Sequence, residues 1–110
     1  MEITLISIRL SQADQHFDLK FASAKMHIVS DLLERGWFVD IQGLDNPGLA
    51  EALFTADNIR MYMHAVTAEG VRLEGDCYAH PLMDASGINL KGEGRLYGYE
   101  QLIGFSPDHE

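Results

Sequence analysis

Residues 58–78 read NIRMYMHAVTAEGVRLEGDCY and alternate between apolar and polar side chains on both sides of a short turn. A period of two residues is the signature of a β-strand that buries one face. Ala68-Glu69-Gly70 separates the two runs, and a three-residue connection that ends in glycine is a common hairpin turn. The stretch therefore predicts an antiparallel hairpin with one apolar face and one polar face.

The position of the turn determines which residues face each other across this hairpin. If Thr67 pairs with Val71, Met61 lies opposite Cys77 on the apolar face. On the polar face, Tyr62 then lies opposite Asp76 and His64 lies opposite Glu74. We expect Cys77 to be a buried and unreactive thiol, because activation would need a cation or base beside it.

Two further strands are predicted at the start of the chain. Residues 2–10 carry apolar side chains on both faces, as in a strand at the centre of a sheet. Residues 16–21 alternate cleanly between apolar and polar side chains, and the polar residues 11–15 form the turn between the two. This pattern predicts a first hairpin.

A long helix and a short helix are predicted between the two hairpins. From Ser23 the apolar residues recur at helical spacing, and Gly36 can end the helix in the left-handed conformation. The apolar side of this helix consists of Met26, Val29, Leu32 and Leu33. Residues 37–44 return to a strand. Residues 45–47, Asp-Asn-Pro, then predict the start of a short helix, with proline at its first position.

The remaining residues complete the predicted fold. Residues 88–105 are interrupted by glycines, which favours bulged or strongly twisted strands, and residues 106–110 are expected to be a frayed tail. The prediction is a single α+β domain over residues 1–105. It has an antiparallel sheet of about five or six strands, with one long and one short helix packed on one face, in the order β-β-α-β-α-β-β-β.

The charge of the chain bears on its partners. Eight Lys and Arg against seventeen Asp and Glu give a net charge of −9. Such a charge repels a phosphate backbone, so direct binding to nucleic acid is not expected. The acids concentrate in the middle of the chain. We interpret six of them as candidate contacts for a protein partner with a basic surface, although solvated helix faces would explain the same charges: Asp31, Glu34, Asp40, Asp45, Glu51 and Asp57.

The favoured function is binding to another protein without enzymatic activity. Small acidic proteins from phage or mobile elements act in this way, as anti-defence inhibitors of the anti-CRISPR kind or as toxin-immunity proteins. The target would be an enzyme that handles nucleic acid or is toxic, and no cofactor is expected. A homo-oligomer that pairs through an exposed strand edge is another possibility.

A small enzyme or ligand-binding module is the competing hypothesis. A carboxylate opposite a histidine can orient the imidazole as a general base, and the polar hairpin face supplies this pairing. The candidate site consists of Tyr62, His64, Glu74 and Asp76. A concave pocket that encloses His64 with Glu74 would favour this hypothesis, whereas an exposed cross-strand ion pair would explain the residues without a site. No metal is predicted, because tightly spaced ligands are lacking even when His80 is added.

The location of the protein is predicted from its cysteine and its apolar runs. Cys77 is the only cysteine, which fits a reducing compartment. The first residues lack the basic and apolar segments of a signal peptide. No apolar run approaches the roughly 18 residues that a membrane helix needs. A cytoplasmic protein is therefore expected.

Overall fold

A computed structural model describes residues 2–29, 36–82 and 86–102. These residues form seven strands and two short helices. The strands are β1 (Glu2–Gln12), β2 (Gln15–Asp18), β3 (Ser23–Val29), β4 (Gly36–Gln42), β5 (Arg60–Thr67), β6 (Arg72–Pro81) and β7 (Gly87–Tyr97). The helices are α1 (Leu49–Thr55) and α2 (Tyr99–Leu102).

Six of the strands close into an antiparallel barrel. Around the ring they follow the order β1, β3, β4, β7, β6 and β5, and β5 returns to β1. β1 is long enough to join both ends of the sheet, because residues 2–4 pair with β3 while residues 5–11 pair with β5. β2 lies outside the ring and pairs with the second half of β1. Closure gives the backbone groups of β1 and β5 hydrogen-bond partners at the seam.

The barrel interior is filled by alternate residues of each strand. Trp37 of β4 is the only tryptophan of the chain, and it is buried. Its indole ring lies against Gly75 of β6 and Gly92 of β7, at positions where any larger residue would occupy the space of the ring. The indole Nε1 donates to the carbonyl oxygen of Gly94 at 3.4 Å. Two glycines on neighbouring strands thus make room for one large side chain.

The register predicted for the second hairpin is confirmed. β5 pairs with β6 so that Tyr62 faces Asp76 and His64 faces Glu74. Cys77 is buried in the core, and this burial, together with the charge of Asp76, raises the pKa of its thiol to about 12. A thiol in this state is protonated at neutral pH and is a poor nucleophile. The first predicted hairpin is also present, as β1 and β2, although β1 continues to Gln12 and β2 ends at Asp18 instead of residue 21.

The predicted long helix is wrong over the part that the structure describes. Ser23–Val29 forms strand β3, which pairs with β1 on one side and β4 on the other. Met26 and Ile28 are buried at a spacing of two, whereas Val29 is 58% exposed although the helical pattern placed it on the buried side. Met26 fits the helical pattern as well as the strand pattern, so the periodicity alone does not decide between them. The backbone pairing on both edges of the segment favours the strand. Residues 30–35 lie outside the described residues.

The α+β fold class is therefore wrong, and the fold is a β-barrel with two short helices. The physical reason is that the segment after the first hairpin is needed as a strand to close the ring. An open sheet would leave strand edges unpaired, and a closed barrel removes them. The predicted strand over residues 37–44 is confirmed as β4.

The short helices differ in detail from the predictions. α1 is present, but it begins at Leu49 after Gly48, which has a φ of 82°, and Pro47 precedes the helix instead of starting it. Its buried side chains Leu49 and Leu53 face the barrel, where the helix packs against β6. α2 occupies residues that were expected to continue a strand, and residues 103–110 lie outside the described part. Neither helix has the length or apolar character to cross a membrane, and no other helix among the described residues has it.

Candidate functional site

The polar face of the second hairpin belongs to a wider polar surface on the outer wall of the barrel. Ser7, Arg9 and Ser11 of β1, which follow a register shift after Leu5, and the even-numbered residues of β5 and β6 face outward there. One row of directly opposed residues crosses five strands, from Asp18 through Arg9, His64 and Glu74 to Tyr97. In this row the basic residues Arg9 and His64 lie between the acids Asp18 and Glu74, so each acid lies beside a basic residue.

A groove of about 510 Å³ lies on this surface, between β2, β1, β5 and β6. Its polar lining includes His16 of β2, Arg9 of β1, His64 of β5, and Arg72 and Glu74 of β6. Two of the four predicted polar-site residues, His64 and Glu74, thus line a concave surface. We refer to this surface as the polar groove.

An ion pair forms one side of the polar groove. Arg9 Nε donates to Asp18 Oδ1 at 2.7 Å, and Arg9 Nη2 donates to Asp18 Oδ2 at 3.4 Å. The hydrogen bond from Arg9 and the positive charge of Arg9 lower the pKa of the Asp18 carboxyl. The same hydrogen bond and the negative charge of Asp18 raise the pKa of the Arg9 guanidinium. This two-point contact occupies both carboxylate oxygens and fixes the guanidinium plane beside the groove.

The other side of the polar groove is centred on Glu74. The hydroxyl of Tyr62 donates to Glu74 Oε1 at 2.9 Å, and His64 Nδ1 lies 3.8 Å from Oε2. Burial of Tyr62, with the hydrogen bond to Glu74, raises the pKa of the phenol to about 12, so the phenol remains a donor at neutral pH. The Tyr62 ring also packs edge-on against His64, with 5.0 Å between ring centroids. Glu74 is therefore shared by two neighbours.

A serine and a histidine meet at the end of the polar groove. Ser11 Oγ and His16 Nδ1 are 3.0 Å apart, across the β1–β2 pair. The sequence analysis assigned Ser11 to a turn, because it ended the first strand at residue 10, whereas β1 continues to Gln12. The second ring nitrogen of His16 has no hydrogen-bond partner among the described residues. The pair is open to solvent on the outer wall.

Asp76, the fourth predicted site residue, belongs to a neighbouring network. Its carboxylate lies 3.6 Å from Arg60, and the same guanidinium lies 3.2 Å from Glu93. The hydroxyl of Tyr78 donates to Glu93 at 3.1 Å. Tyr62 connects this network to the groove, because it faces Asp76 across the strands and hydrogen-bonds to Glu74.

A second hollow, of about 550 Å³, lies on the wall formed by β3, β4, β7 and β6. Its lining includes Phe38, His80 and Lys91. The Phe38 ring stacks on His27 at 4.7 Å between centroids. His80 therefore lies in a different hollow from His64. Over the described part of the chain, no group of three or more His, Cys, Asp or Glu side chains is arranged to hold a metal ion.

Four of the six acids predicted to contact a partner lie on β4 or between β4 and β5. Asp40 faces outward from β4 and accepts a hydrogen bond from Gln42 Nε2 at 2.9 Å. Asp45, Glu51 and Asp57 are exposed after β4, on α1 and before β5. These four acids form no ion pair with any described residue. The other two, Asp31 and Glu34, lie outside the described residues.

The polar groove contains residues that the sequence analysis did not single out, namely Arg9, Asp18, His16 and Arg72. Their outward direction follows from the alternation of each strand, but their proximity follows from the pairing of β1 with β5.

We compared the chain with known proteins. No protein-family model, curated protein or solved structure matches it.

Proposed function

We propose that this protein is a ligand-binding module whose binding site is the polar groove. The observation that carries the proposal is that His64 and Glu74 together line a concave surface. Arg9, His16 and Glu74 of the groove each have a side-chain contact across a strand pair, and a site on paired strands positions its groups more firmly than a site on loops.

Binding is better supported than catalysis. A nucleophilic serine needs an imidazole that a third group orients, as in the catalytic triads. Ser11 and His16 form the first of these contacts, but no carboxylate of the described residues hydrogen-bonds to His16. His64 lies 3.8 Å from Glu74, which is too long for a hydrogen bond that would fix a tautomer.

Blocking the groove tests this proposal. Ser7 lines the polar groove from β1 and is exposed, so Ser7→Trp is expected to fill the groove without disturbing the core. In a fragment screen by NMR with ¹⁵N-labelled protein, we expect bound compounds to shift the amide signals of Arg9, His64 and Glu74. The Ser7→Trp variant is expected to lose these shifts. Ser23→Trp adds the same side chain at an exposed position of β3 and is expected to keep them.

Two results would count against the groove. The first is that compounds shift signals around Phe38 and Lys91, which line the second hollow, and leave the groove signals unchanged. The second is that Ser7→Trp and Ser23→Trp bind the groove compounds equally well. Circular dichroism of both variants verifies that each one is folded.

Inhibition of another protein is a second candidate function. We propose it because Asp40, Asp45, Glu51 and Asp57 form no ion pair with a described residue, whereas Asp18 and Asp76 do. Uncompensated charges attract an oppositely charged protein over several ångströms. The partner would carry a basic surface, as an enzyme that handles nucleic acid or a toxin does, and a phage or mobile-element origin would fit this role.

Charge reversal tests the second candidate. The triple variant with Asp45→Lys, Glu51→Lys and Asp57→Lys is expected to weaken capture of a basic partner from native-host lysate at least about tenfold. Capture by the unmodified protein is expected to fall at high salt. Asp14→Lys and Glu69→Lys change exposed acids in two turns and provide the control. Equal losses in both variants, or capture that salt does not affect, would contradict specific recognition.

We also propose that the protein acts in the cytoplasm. The support for this location is its single cysteine, Cys77, which is buried and unpaired. Proteins of reducing compartments use cysteine in this way, whereas small secreted domains are commonly stabilised by disulfides.

A further inference from the structure

We infer that the ligand of the polar groove carries an oxyanion, either a carboxylate or a phosphate group. This inference rests on the function proposed above for the groove. It follows from which hydrogen-bonding groups of the groove are already used and which remain available. A ligand binds most favourably to groups that have no partner in the protein, because it then replaces water at those groups and breaks no contact within the protein.

Three of the four carboxylate oxygens of the groove already accept a hydrogen bond within the protein. Both carboxylate oxygens of Asp18 accept hydrogen bonds from Arg9. Glu74 accepts a hydrogen bond from Tyr62 through Oε1 and lies beside His64 through Oε2. A cationic ligand would find only Glu74 Oε2 without a hydrogen bond, and His64 lies 3.8 Å from that oxygen.

The available groups are mainly donors. The side chain of Arg72 is exposed and forms no ion pair or hydrogen bond with a described residue. Its guanidinium has five N–H donors in a planar arrangement that matches carboxylate and phosphate oxygens. The hydroxyl of Ser7 has no hydrogen-bond partner among the described residues, and neither has the second ring nitrogen of His16. An oxyanion fits this set of groups.

The charge of the groove is also more favourable for an anion than the charge of most of the protein surface. Arg9 and Arg72 balance Asp18 and Glu74, so the groove is locally neutral on a protein of net charge −9. Elsewhere, Arg60 is neutralised by acids on the neighbouring strands. In contrast, the positive charge of Arg72 is not paired with any described carboxylate.

The size of the groove points to a small organic molecule. Its volume of about 510 Å³ is within the range of small-molecule sites and exceeds the needs of an inorganic ion. Val66, which is half-buried, lies in the row between Ser7 and Arg72 and adds an apolar surface beside the donors. The expected ligand therefore has an oxyanionic group and a compact, partly apolar body.

A set of four probes of similar size and different charge tests the inference. Phenyl phosphate, benzoate, benzamide and benzamidine are titrated separately into ¹⁵N-labelled protein at low salt, and the amide signals of the groove are followed. We expect phenyl phosphate or benzoate to bind at least about tenfold more tightly than benzamide, since a hydrogen bond to a charged group contributes at least this much. Benzamidine is expected to leave the groove signals unchanged.

Two arginine variants identify the residue responsible. Arg72→Gln is expected to weaken oxyanion binding about tenfold or more. Arg95→Gln removes an exposed guanidinium of β7 that lies outside the groove, beside Glu100, and is expected to bind as the unmodified protein does. Tighter binding of phenyl phosphate would assign the site to phosphate monoesters, and tighter binding of benzoate would assign it to carboxylates; either result supports the inference.

Other results would overturn it. Groove binding of benzamidine as tight as that of the oxyanions would reject an anionic ligand but leave the proposed binding groove standing. Unchanged oxyanion affinity in Arg72→Gln would reject the role of Arg72. If neither oxyanion shifts the groove signals, the inference fails, and if the probes bind only at the second hollow, the proposed function fails as well.

Discussion

Gly92→Ala is expected to destabilise the barrel by about 3 kcal/mol, which is the upper part of the usual range for an overpacked core. The added methyl group would overlap the indole ring of Trp37. The ring has little space to move away, because Gly75 already lies against its other edge. The free energy of unfolding is measured by urea denaturation, with Trp37 as the only tryptophan signal and circular dichroism as a second probe.

Gly36→Ala is the matched control for this prediction. Gly36 is also a strand glycine, but an added Cβ would lie 3.8 Å from the Cβ of Val29, which is an ordinary contact. We expect its free energy of unfolding to change by less than about 1 kcal/mol. Any change is expected to be a gain in stability, because alanine restricts the unfolded chain more than glycine does. Similar losses in both variants would contradict the packing of Trp37 against Gly92.

A double variant isolates the clash itself. Trp37→Leu removes the indole, so the methyl group of Gly92→Ala then has room. The two changes are expected to be non-additive, and the double variant should lose less stability than the sum of the single variants. Circular dichroism reports the unfolding, because the double variant lacks tryptophan. Strict additivity would show that the two residues do not share this space.

The role of Gly92 shows which features of the fold were predictable from the sequence. The glycines of the last strand were interpreted as marks of bulges and twist. A φ of 82° at Gly94 and a shift in register between β6 and β7 agree with that interpretation. The close approach of Trp37 to Gly92 could not be predicted, because it depends on the pairing of two strands that are far apart in the chain.

The same distinction between local and non-local information explains the error in fold class. The second hairpin was predicted with its correct register, because its turn and both of its strands lie within 21 consecutive residues. Residues 23–29 contain Met26 and Ile28 at a spacing of two and Met26 and Val29 at a spacing of three, so a short window favours neither period decisively. The choice depends on β1 and β4, which give this segment partners on both edges.

The candidate site was predicted in part for the same reason. Tyr62, His64 and Glu74 were found because they face one another within a single hairpin. Residues 16–21 were predicted to have one solvent-facing side, but residues 2–10 were interpreted as a central strand, and nothing local indicates that β1 lies beside β5. The polar groove exists only because the ring closes at that seam, so any test of closure also tests the site.

A disulfide across the seam is the most direct test of closure. Ser11 of β1 and Tyr62 of β5 are opposed in the ladder and face outward. We expect the variant with Ser11→Cys and Tyr62→Cys to form a disulfide on mild oxidation, while Cys77 stays buried and free. The bond would close a loop of roughly 50 residues, which corresponds to about 4 kcal/mol of stabilisation over the reduced form if chain entropy dominates.

The control for this disulfide uses a strand on the far side of the ring. Lys91 of β7 also faces outward, but three strand steps separate β7 from β1 in either direction around the barrel. The variant with Ser11→Cys and Lys91→Cys is therefore expected to remain reduced under the same conditions. Mass spectrometry without reductant measures the bond, and urea denaturation with and without reductant measures its stabilisation. If both pairs oxidise equally, or if only the control pair does, β1 does not lie beside β5 and the polar groove loses its basis.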